Sequence, residues 1–188
     1  MDNRDKILAC ATRLFSERGY DAVGVQEVAD AAGIKKPTLY HYFGSKEGLL
    51  RTLLNEGFAP LFELLDSAAE YHRDVISTLQ KIAITYFDFA RKNPLLYRMQ
   101  LMMWFTPSGS DSFNVVATIH ARQQEVMETF FLRAAQDHGN MKGRQRAYAA
   151  TFLGMVNTYA SLGLNGMVNL DDDLAHSAVH QFMHGIFS

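Results

Sequence analysis

Apolar residues recur every three or four positions along most of this 188-residue chain, which is the period of an α-helix. Near the start, for example, Ile7, Ala11 and Phe15 share one helical face. Alternation of apolar and polar residues, the pattern of a half-buried strand, does not persist over any strand-length stretch. The sequence therefore predicts an all-α fold of about nine helices.

Glycine and proline residues indicate where these helices end. Gly19, Gly33 and Gly44 each follow an apolar run and can take the positive φ of a helix C-terminus. Pro94 ends a later helix because the residue before a proline leaves the α region. Beyond a first helix, the predicted helices cover residues 25–32, 36–43, 46–71, 74–92, 95–105, 113–138, 144–164 and 172–187.

Composition limits the class of protein. Apolar residues make up 48% of the chain and charged residues 20%, which favours a compact fold over a disordered one. The net charge of −2 argues against binding nucleic acid by overall charge, but it leaves room for a local basic patch. We found neither a signal-peptide pattern nor a charge-free apolar run of membrane-spanning length, so we expect a cytoplasmic protein with no membrane partner.

Residues 25–43 match the spacing of a helix-turn-helix, in which two short helices cross at a tight turn. Ala29 stands at the fifth position, where the crossing helix demands a small side chain. Gly33 stands at the ninth, where the chain turns and a Cβ is unwelcome. Helical proteins also reach this spacing by chance, so the flanking residues matter.

Those flanking residues include a basic stretch rich in aromatic side chains. Between Gly33 and Arg51 the chain holds four lysine or arginine residues and one acidic residue, Glu47. Such a stretch favours contact with phosphate, and an ordinary solvated face is the competing interpretation.

Two segments carry a resemblance to a known family, namely "ATRLFSERGYDA" (11–22) and "VQEVADAAGIKKPTLYHYFGSKEGLL" (25–50). With the chain length, they resemble the TetR family of bacterial transcriptional repressors. The resemblance implies an N-terminal three-helix helix-turn-helix DNA-binding domain and a larger C-terminal helical domain for ligand binding and dimerisation, divided here as residues 1–50 and 51–188. It also implies a homodimer that binds a palindromic operator in double-stranded DNA and releases it when a small molecule enters the C-terminal domain.

The third helix is expected to read the major groove, with its N-terminal end toward the bases. The residues predicted to contact DNA are Gln26, Lys35, Lys36, Pro37, Thr38, Tyr40, His41, Tyr42 and Lys46. Lys35 and Gly24 occupy helix-capping positions where the family commonly has a small hydroxyl residue, and Gly48 stands where a carboxylate could complete a capping box.

Two sets of residues in the C-terminal part are assigned from helical faces. Small residues on the helix at 144–164 and apolar residues on the last helix predict a dimer interface comprising Ala150, Gly154, Thr158, Ser161, Val179, Phe182 and Met183. A methionine- and aromatic-rich region predicts a pocket for an apolar or aromatic ligand, comprising Tyr86, Phe89, Tyr97, Met102, Met103, Trp104, Phe105, His120 and Phe130. Packing within a single chain is the alternative interpretation of both sets.

The sequence lacks the usual signatures of an enzyme. It has no nucleophile elbow, zinc-protease motif or phosphate loop, so we expect no catalytic residue, no cofactor and no metal. His176, His180 and His184 do recur at metal-ligand spacing, and a metal-binding helical bundle is therefore one alternative. A DNA-binding regulator without a small-molecule response is the other.

Overall fold

The computed structural model describes residues 2–185, which form nine α-helices and one short 3₁₀ turn and contain no strand. The prediction of an all-α fold is confirmed. No described helix is long and apolar enough to cross a membrane. The helices are α1 (Asn3–Arg18), α2 (Val25–Ala31), α3 (Lys36–Phe43), α4 (Lys46–Ala68), α5 (Val75–Lys92), α6 (Pro94–Trp104), α7 (Asp111–Ala134), α8 (Gln145–Leu164) and α9 (Asp172–His184), and the 3₁₀ turn is Gly139–Met141.

Predicted helix ends that were several residues off have local explanations. Helix α7 begins two residues earlier than predicted because the Ser110 hydroxyl accepts a hydrogen bond of 3.2 Å from the backbone N–H of Phe113. Helix α4 ends at Ala68, before the predicted Tyr71, and Arg73 then takes a φ of 64°. The last predicted helix reached residue 187 and used Ile186, which lies outside the described residues.

The chain divides into two compact units. One comprises residues 1–58 and 94–119, and the other comprises residues 59–93 and 120–188. This grouping differs from the predicted boundary after Leu50, because α6 packs against α1 within the first unit. The division into a DNA-binding part (1–50) and a regulatory part (51–188) is a functional prediction, and the packing of the units does not test it.

In the first unit, α1 packs against α2, α3 and α6. Its apolar face is fully buried at Ile7, Ala11 and Phe15, as the helical periodicity predicted. Gly19 ends α1 with a φ of 82°, and the Phe15 and Tyr20 rings then meet edge to face at 5.2 Å between centroids. This contact orients the link between α1 and α2.

In the second unit, α5 packs against α8 and α9. Aromatic residues on α7, α8 and α9 form a cluster in which Phe131 lies 5.6 Å from Tyr148 and Phe152 lies 5.3 Å from Phe182, measured between ring centroids. Helix α9 starts at a side-chain cap, since the Asp171 carboxylate accepts a hydrogen bond from the backbone N–H of Leu174.

Candidate nucleic-acid interface

Helices α2 and α3 form a helix-turn-helix with a four-residue link, residues 32–35. Gly33 takes a φ of 66° in this link, a conformation that disfavours residues with a Cβ. The turn is closed by backbone hydrogen bonds from Gly33 N–H to the Asp30 carbonyl (3.1 Å) and from Ile34 N–H to the Ala29 carbonyl (3.0 Å). Ala29 itself is fully buried, as its predicted place at the helix crossing requires.

Helix α3 has one buried face and one exposed face. Leu39 is fully buried and Phe43 is 8% exposed, so these two side chains hold the helix on the small core of the first unit. Tyr40 and Tyr42 are 41% and 43% exposed, and His41 is also exposed. The aromatic residues of "TLYHYF" thus divide between packing and surface, and those predicted to contact DNA lie on the surface.

The N-terminal end of α3 favours an anion. Lys35 is the N-cap residue and makes no side-chain capping bond, while the Thr38 N–H donates to the Lys35 carbonyl at 2.9 Å. Lys36 and Pro37 are exposed beside it, and Thr38 is half-buried. The partial positive charge of a helix N-terminus and two lysine side chains together attract phosphate.

Lys46 is oriented differently from this pair of lysines. Its ammonium group donates a hydrogen bond of 2.6 Å to the backbone carbonyl of Tyr20 and lies 4.0 Å from the Tyr20 ring centroid. Burial lowers the pKa of Lys46, and nearby carboxylates, Asp21 first among them, act in the opposite direction. The ammonium is therefore directed at the link between α1 and α2.

Other polar and charged residues around the helix-turn-helix also form hydrogen bonds or ion pairs within the chain. Arg51 forms an ion pair with Glu47 one helical turn away. The Gln26 amide donates to Asp30 at 2.7 Å. The basic edge predicted from the sequence therefore rests mainly on Lys35 and Lys36, which sequence spacing alone did not distinguish from Lys46 and Arg51.

Glu27 stabilises the start of α2, a role that sequence analysis missed. Its carboxylate accepts a hydrogen bond of 2.9 Å from the backbone N–H of Gly24 and pairs with Arg18. These two contacts, the backbone bond first, lower the pKa of Glu27. Glu27 lies three residues after the N-cap, the capping-box position, and it partly compensates for the missing hydroxyl at Gly24.

The residues predicted for a dimer interface fall into three groups. Ala150, Gly154 and Thr158 form an exposed strip of small side chains on α8, and a Cβ added at Gly154 would meet no atom within 4 Å. Ser161, Phe182 and Met183 are half-buried. Val179 is fully buried among the helices of its own unit, so its assignment to an intersubunit surface was wrong.

The residues predicted for a ligand pocket divide between the two units. Tyr97, Met102, Met103, Trp104 and Phe105 belong to the first, and Tyr86, Phe89, His120 and Phe130 belong to the second. Phe105 is 84% exposed, and Trp104 stacks on Phe113 with ring centroids 5.5 Å apart. A pocket shared by all nine residues stays a prediction.

Buried polar side chains occur close in sequence to these candidates. Gln100 and Gln123 are fully buried. Burial lowers the pKa of His120 to about 4, so its imidazole is neutral at neutral pH. Neutral polar groups in an apolar region could orient a ligand by hydrogen bonding.

The three histidines of α9 make contacts other than with a metal. His176 Nδ1 lies 2.7 Å from the Asp172 carbonyl oxygen, and the rings of His180 and His184 are 4.6 Å apart. Within residues 2–185, no group of three or more His, Cys, Asp or Glu side chains is arranged to hold a metal ion.

Comparison with known proteins agrees with this geometry. Residues 7–53 match the model of the bacterial regulatory proteins of the tetR family. Over 98% of the chain and 82% of the relative, the sequence is 27% identical to the HTH-type transcriptional activator FasR of Mycolicibacterium smegmatis. It is 35% identical to the HTH-type transcriptional repressor KstR2 of Rhodococcus jostii, over 45% of this chain and 42% of that one.

The fold has a close match among solved structures. The regulator FadR of Bacillus subtilis, in complex with stearoyl-CoA, superposes with a TM-score of 0.80 over 97% of this chain and 98% of that one, at 20% identity. At this identity the likeness concerns the fold alone. The helix-turn-helix, the family match at residues 7–53 and the long relative agree, and residues 7–53 form a DNA-binding domain of the tetR family of bacterial regulatory proteins.

Proposed function

We propose that this protein is a ligand-responsive repressor that binds a palindromic operator as a homodimer and works by binding rather than catalysis. The observation that carries the proposal is the exposed face of α3. Tyr40, His41 and Tyr42 lie on that face, while Leu39 and Phe43 anchor the opposite one. A recognition helix needs this division, because it must be held rigidly while its polar side chains reach base edges.

Within this proposal, the DNA contacts fall into two classes. Lys35 and Lys36, at the positive end of the α3 dipole, would bind phosphate, which sets affinity and its dependence on salt. Base edges would be reached by Thr38, Tyr40, His41 and Tyr42. Pro37 and Gln26 would lie at the edge of the protein–DNA interface. We reassign Lys46 to a supporting role, because its ammonium already has a partner in Tyr20.

A dimer is supported by the exposed strip of small side chains on α8. Small residues allow two helices to approach closely. The next helix, α9, adds the half-buried side chains of Phe182 and Met183. A two-fold axis through this surface would relate two copies of α3, which must lie about 34–36 Å apart to enter successive major grooves. In this proposal, residues 1–50 bind DNA and residues 51–188 hold the dimer and the effector.

A ligand response is supported by the methionine- and aromatic-rich segments around α5, α6 and α7. These segments hold neutral polar groups, namely the buried Gln100 and Gln123 and the half-buried His120, which suit an apolar ligand with a few polar atoms. FadR, which shares the fold, was solved with stearoyl-CoA, and a long-chain acyl-CoA is therefore a sensible first probe. The ligand would act by favouring a dimer whose recognition helices no longer match the operator.

DNA binding can be tested by fluorescence anisotropy with duplexes from the region flanking the protein's own gene. We expect sequence-selective binding whose affinity falls as salt rises. Tyr42→Ala should reduce the preference for the operator over a shuffled duplex. Leu132→Ala, which changes an exposed apolar residue of α7, is the control. Equal affinity for both duplexes at every salt concentration would contradict the idea that the protein binds selectively beside its own gene and regulates it.

The ligand response requires a separate measurement on the same complex. Stearoyl-CoA and a panel of aromatic acids should be titrated into preformed protein–operator complex, with coenzyme A alone as the control. Release of DNA by one compound supports the proposal, and in vitro transcription then separates repression from activation. If no compound changes operator affinity, the chain is a DNA-binding regulator without a small-molecule response. Release by zinc would instead support the α9 histidines as a metal site.

A further inference from the structure

The first unit contains a cavity of about 220 Å³ where the end of α1 and the link to α2 face α6 and the start of α7. Its apolar wall is formed by Phe15, Met99, Met102 and Met103. Thr106 and Ser112 contribute hydroxyl groups to the lining, and Tyr20 contributes its ring. The volume is below that of most drug-sized pockets but accommodates a single substituted ring.

Tyr20 brings an unsatisfied hydrogen-bonding group to this cavity. The residue is 5% exposed, and its hydroxyl has no hydrogen-bond partner among residues 2–185. Buried hydroxyl groups in proteins are nearly always paired, because the loss of water contacts must be offset. The geometry therefore calls for an acceptor that the described part of the protein does not supply.

The Tyr20 ring is held in place while its hydroxyl stays available. Phe15 contacts the ring edge to face, and the Lys46 ammonium lies 4.0 Å from its centroid. Burial, followed by the nearby carboxylates of Asp111, Glu47 and Asp21, raises the pKa of Tyr20 to about 12. The phenol thus keeps its proton at neutral pH and acts as a fixed donor.

The surroundings of the cavity restrict the charge of an occupant. The carboxylates near Tyr20 disfavour an anion, and the two nearby cations are already engaged, Arg18 with Glu27 and Lys46 with the Tyr20 backbone carbonyl. Methionine side chains adapt to irregular shapes and contact aromatic rings favourably. Met102, 44% exposed, is the most accessible of the three methionines in the lining.

We propose that this cavity binds a small neutral aromatic molecule, the size of one substituted ring, whose oxygen accepts a hydrogen bond from the Tyr20 hydroxyl. The site is centred on Tyr20 and differs from the predicted effector pocket, with which it shares only Met102 and Met103. An occupant would contact residues 19–22, the link that leads into the helix-turn-helix. The proposal does not depend on the identity of the operator or of the effector.

Methionine methyl groups allow a direct test, because the chain has only nine methionines. The probe is acetophenone, titrated into ¹³C-methyl-methionine-labelled protein, with ethylbenzene as the same ring without an oxygen. We expect saturable shifts of the Met99, Met102 and Met103 signals and an unchanged Met127 signal. The absence of saturable shifts at these three methyl groups up to the solubility limit would overturn the proposal and leave the cavity to water.

Two variants locate the binding to Tyr20. Tyr20→Phe keeps the ring and removes the hydroxyl, so acetophenone should bind about three- to tenfold more weakly while ethylbenzene is unaffected. Ala22→Leu, which fills the cavity from the link side, should weaken both compounds. Tyr148→Phe, in the second unit, is the matched control. Acetophenone affinity that is unchanged in Tyr20→Phe would overturn the proposal, as would an equal loss for both compounds.

Discussion

The ammonium group of Lys46 and the backbone carbonyl of Tyr20 are joined by a 2.6 Å hydrogen bond between the first turn of α4 and the link that follows α1. A cation at a helix N-terminus is unfavourable because both carry positive charge. The carbonyl and the face of the Tyr20 ring offset that repulsion. Lys46 therefore supports the base of the helix-turn-helix from inside the first unit.

Replacing Lys46 should affect folding stability more than DNA electrostatics. We expect Lys46→Met to lower the free energy of unfolding by about 1–2 kcal/mol, because a charge-assisted hydrogen bond and a cation–π contact are lost. The slope of log affinity against log salt should not change. Urea denaturation and anisotropy at several salt concentrations measure the two effects. A slope reduced by about one unit would return Lys46 to the phosphate contacts.

Lys35→Ser should raise folding stability and weaken DNA binding, whereas Lys46→Met should lower stability and leave the salt dependence of DNA binding unchanged. Lys35 occupies the N-cap of α3 without a side-chain capping bond, and serine there would stabilise the helix by about 0.5–1 kcal/mol. Loss of its charge should weaken binding to all duplexes and reduce the salt slope by about one unit. Lys36→Ser is the control, since it removes a charge without adding a cap. A Lys35→Ser protein no more stable than the wild type would rule out the capping argument.

His120 should make the protein sensitive to mild acid. Its pKa is about 4 in the folded chain and 6.5 when exposed, so the unfolded chain takes up a proton first as pH falls. The free energy of unfolding should therefore fall by on the order of 2 kcal/mol as the pH drops from about 6.5 to about 4. Above about pH 6.5, His120 is neutral in both states and adds no pH dependence. His120→Gln should flatten this part of the stability–pH curve. His72→Gln, at an exposed histidine, should leave the curve unchanged.

Gly154 offers a test of the dimer surface. The Cβ of Gly154→Arg would meet no atom within 4 Å, Gly154 is exposed, and the change removes a flexible residue from a helix, so folding should be retained. Two arginines facing each other across a two-fold axis should separate the subunits. Sedimentation analysis of the variant should show monomers, while Ser67→Arg, on an exposed part of α4, should remain dimeric. A dimeric Gly154→Arg would place the interface elsewhere.

Predictions that depend on neighbouring residues in the chain were accurate. Gly19, Gly33 and Gly44 end or join helices at positive φ, and α3 covers the predicted residues 36–43. Apolar periodicity identified Ile7, Ala11 and Phe15 as one helical face, and all three are fully buried. These features follow from backbone sterics and helical period, which act within a few residues.

Predictions that depend on distant residues fared differently. Val179 was assigned to a dimer surface but is buried, because helical period identifies an apolar face without its partner. The packing of α6 with α1 joins residues far apart in the chain, and it leaves the functional boundary at Leu50 a prediction. Lys46 and Lys36 look alike in sequence, yet only Lys46 reaches a backbone carbonyl 26 residues away.

The sequence by itself determined the helices, the turn at Gly33 and the family, since these depend on local conformation and on a contiguous motif. Tertiary structure alone decided which lysines remain available for phosphate, which apolar faces are already covered and that the Tyr20 hydroxyl is buried at a cavity. The physical reason is that desolvation and pairing depend on residues far apart in the chain, and their positions are set only when the helices pack.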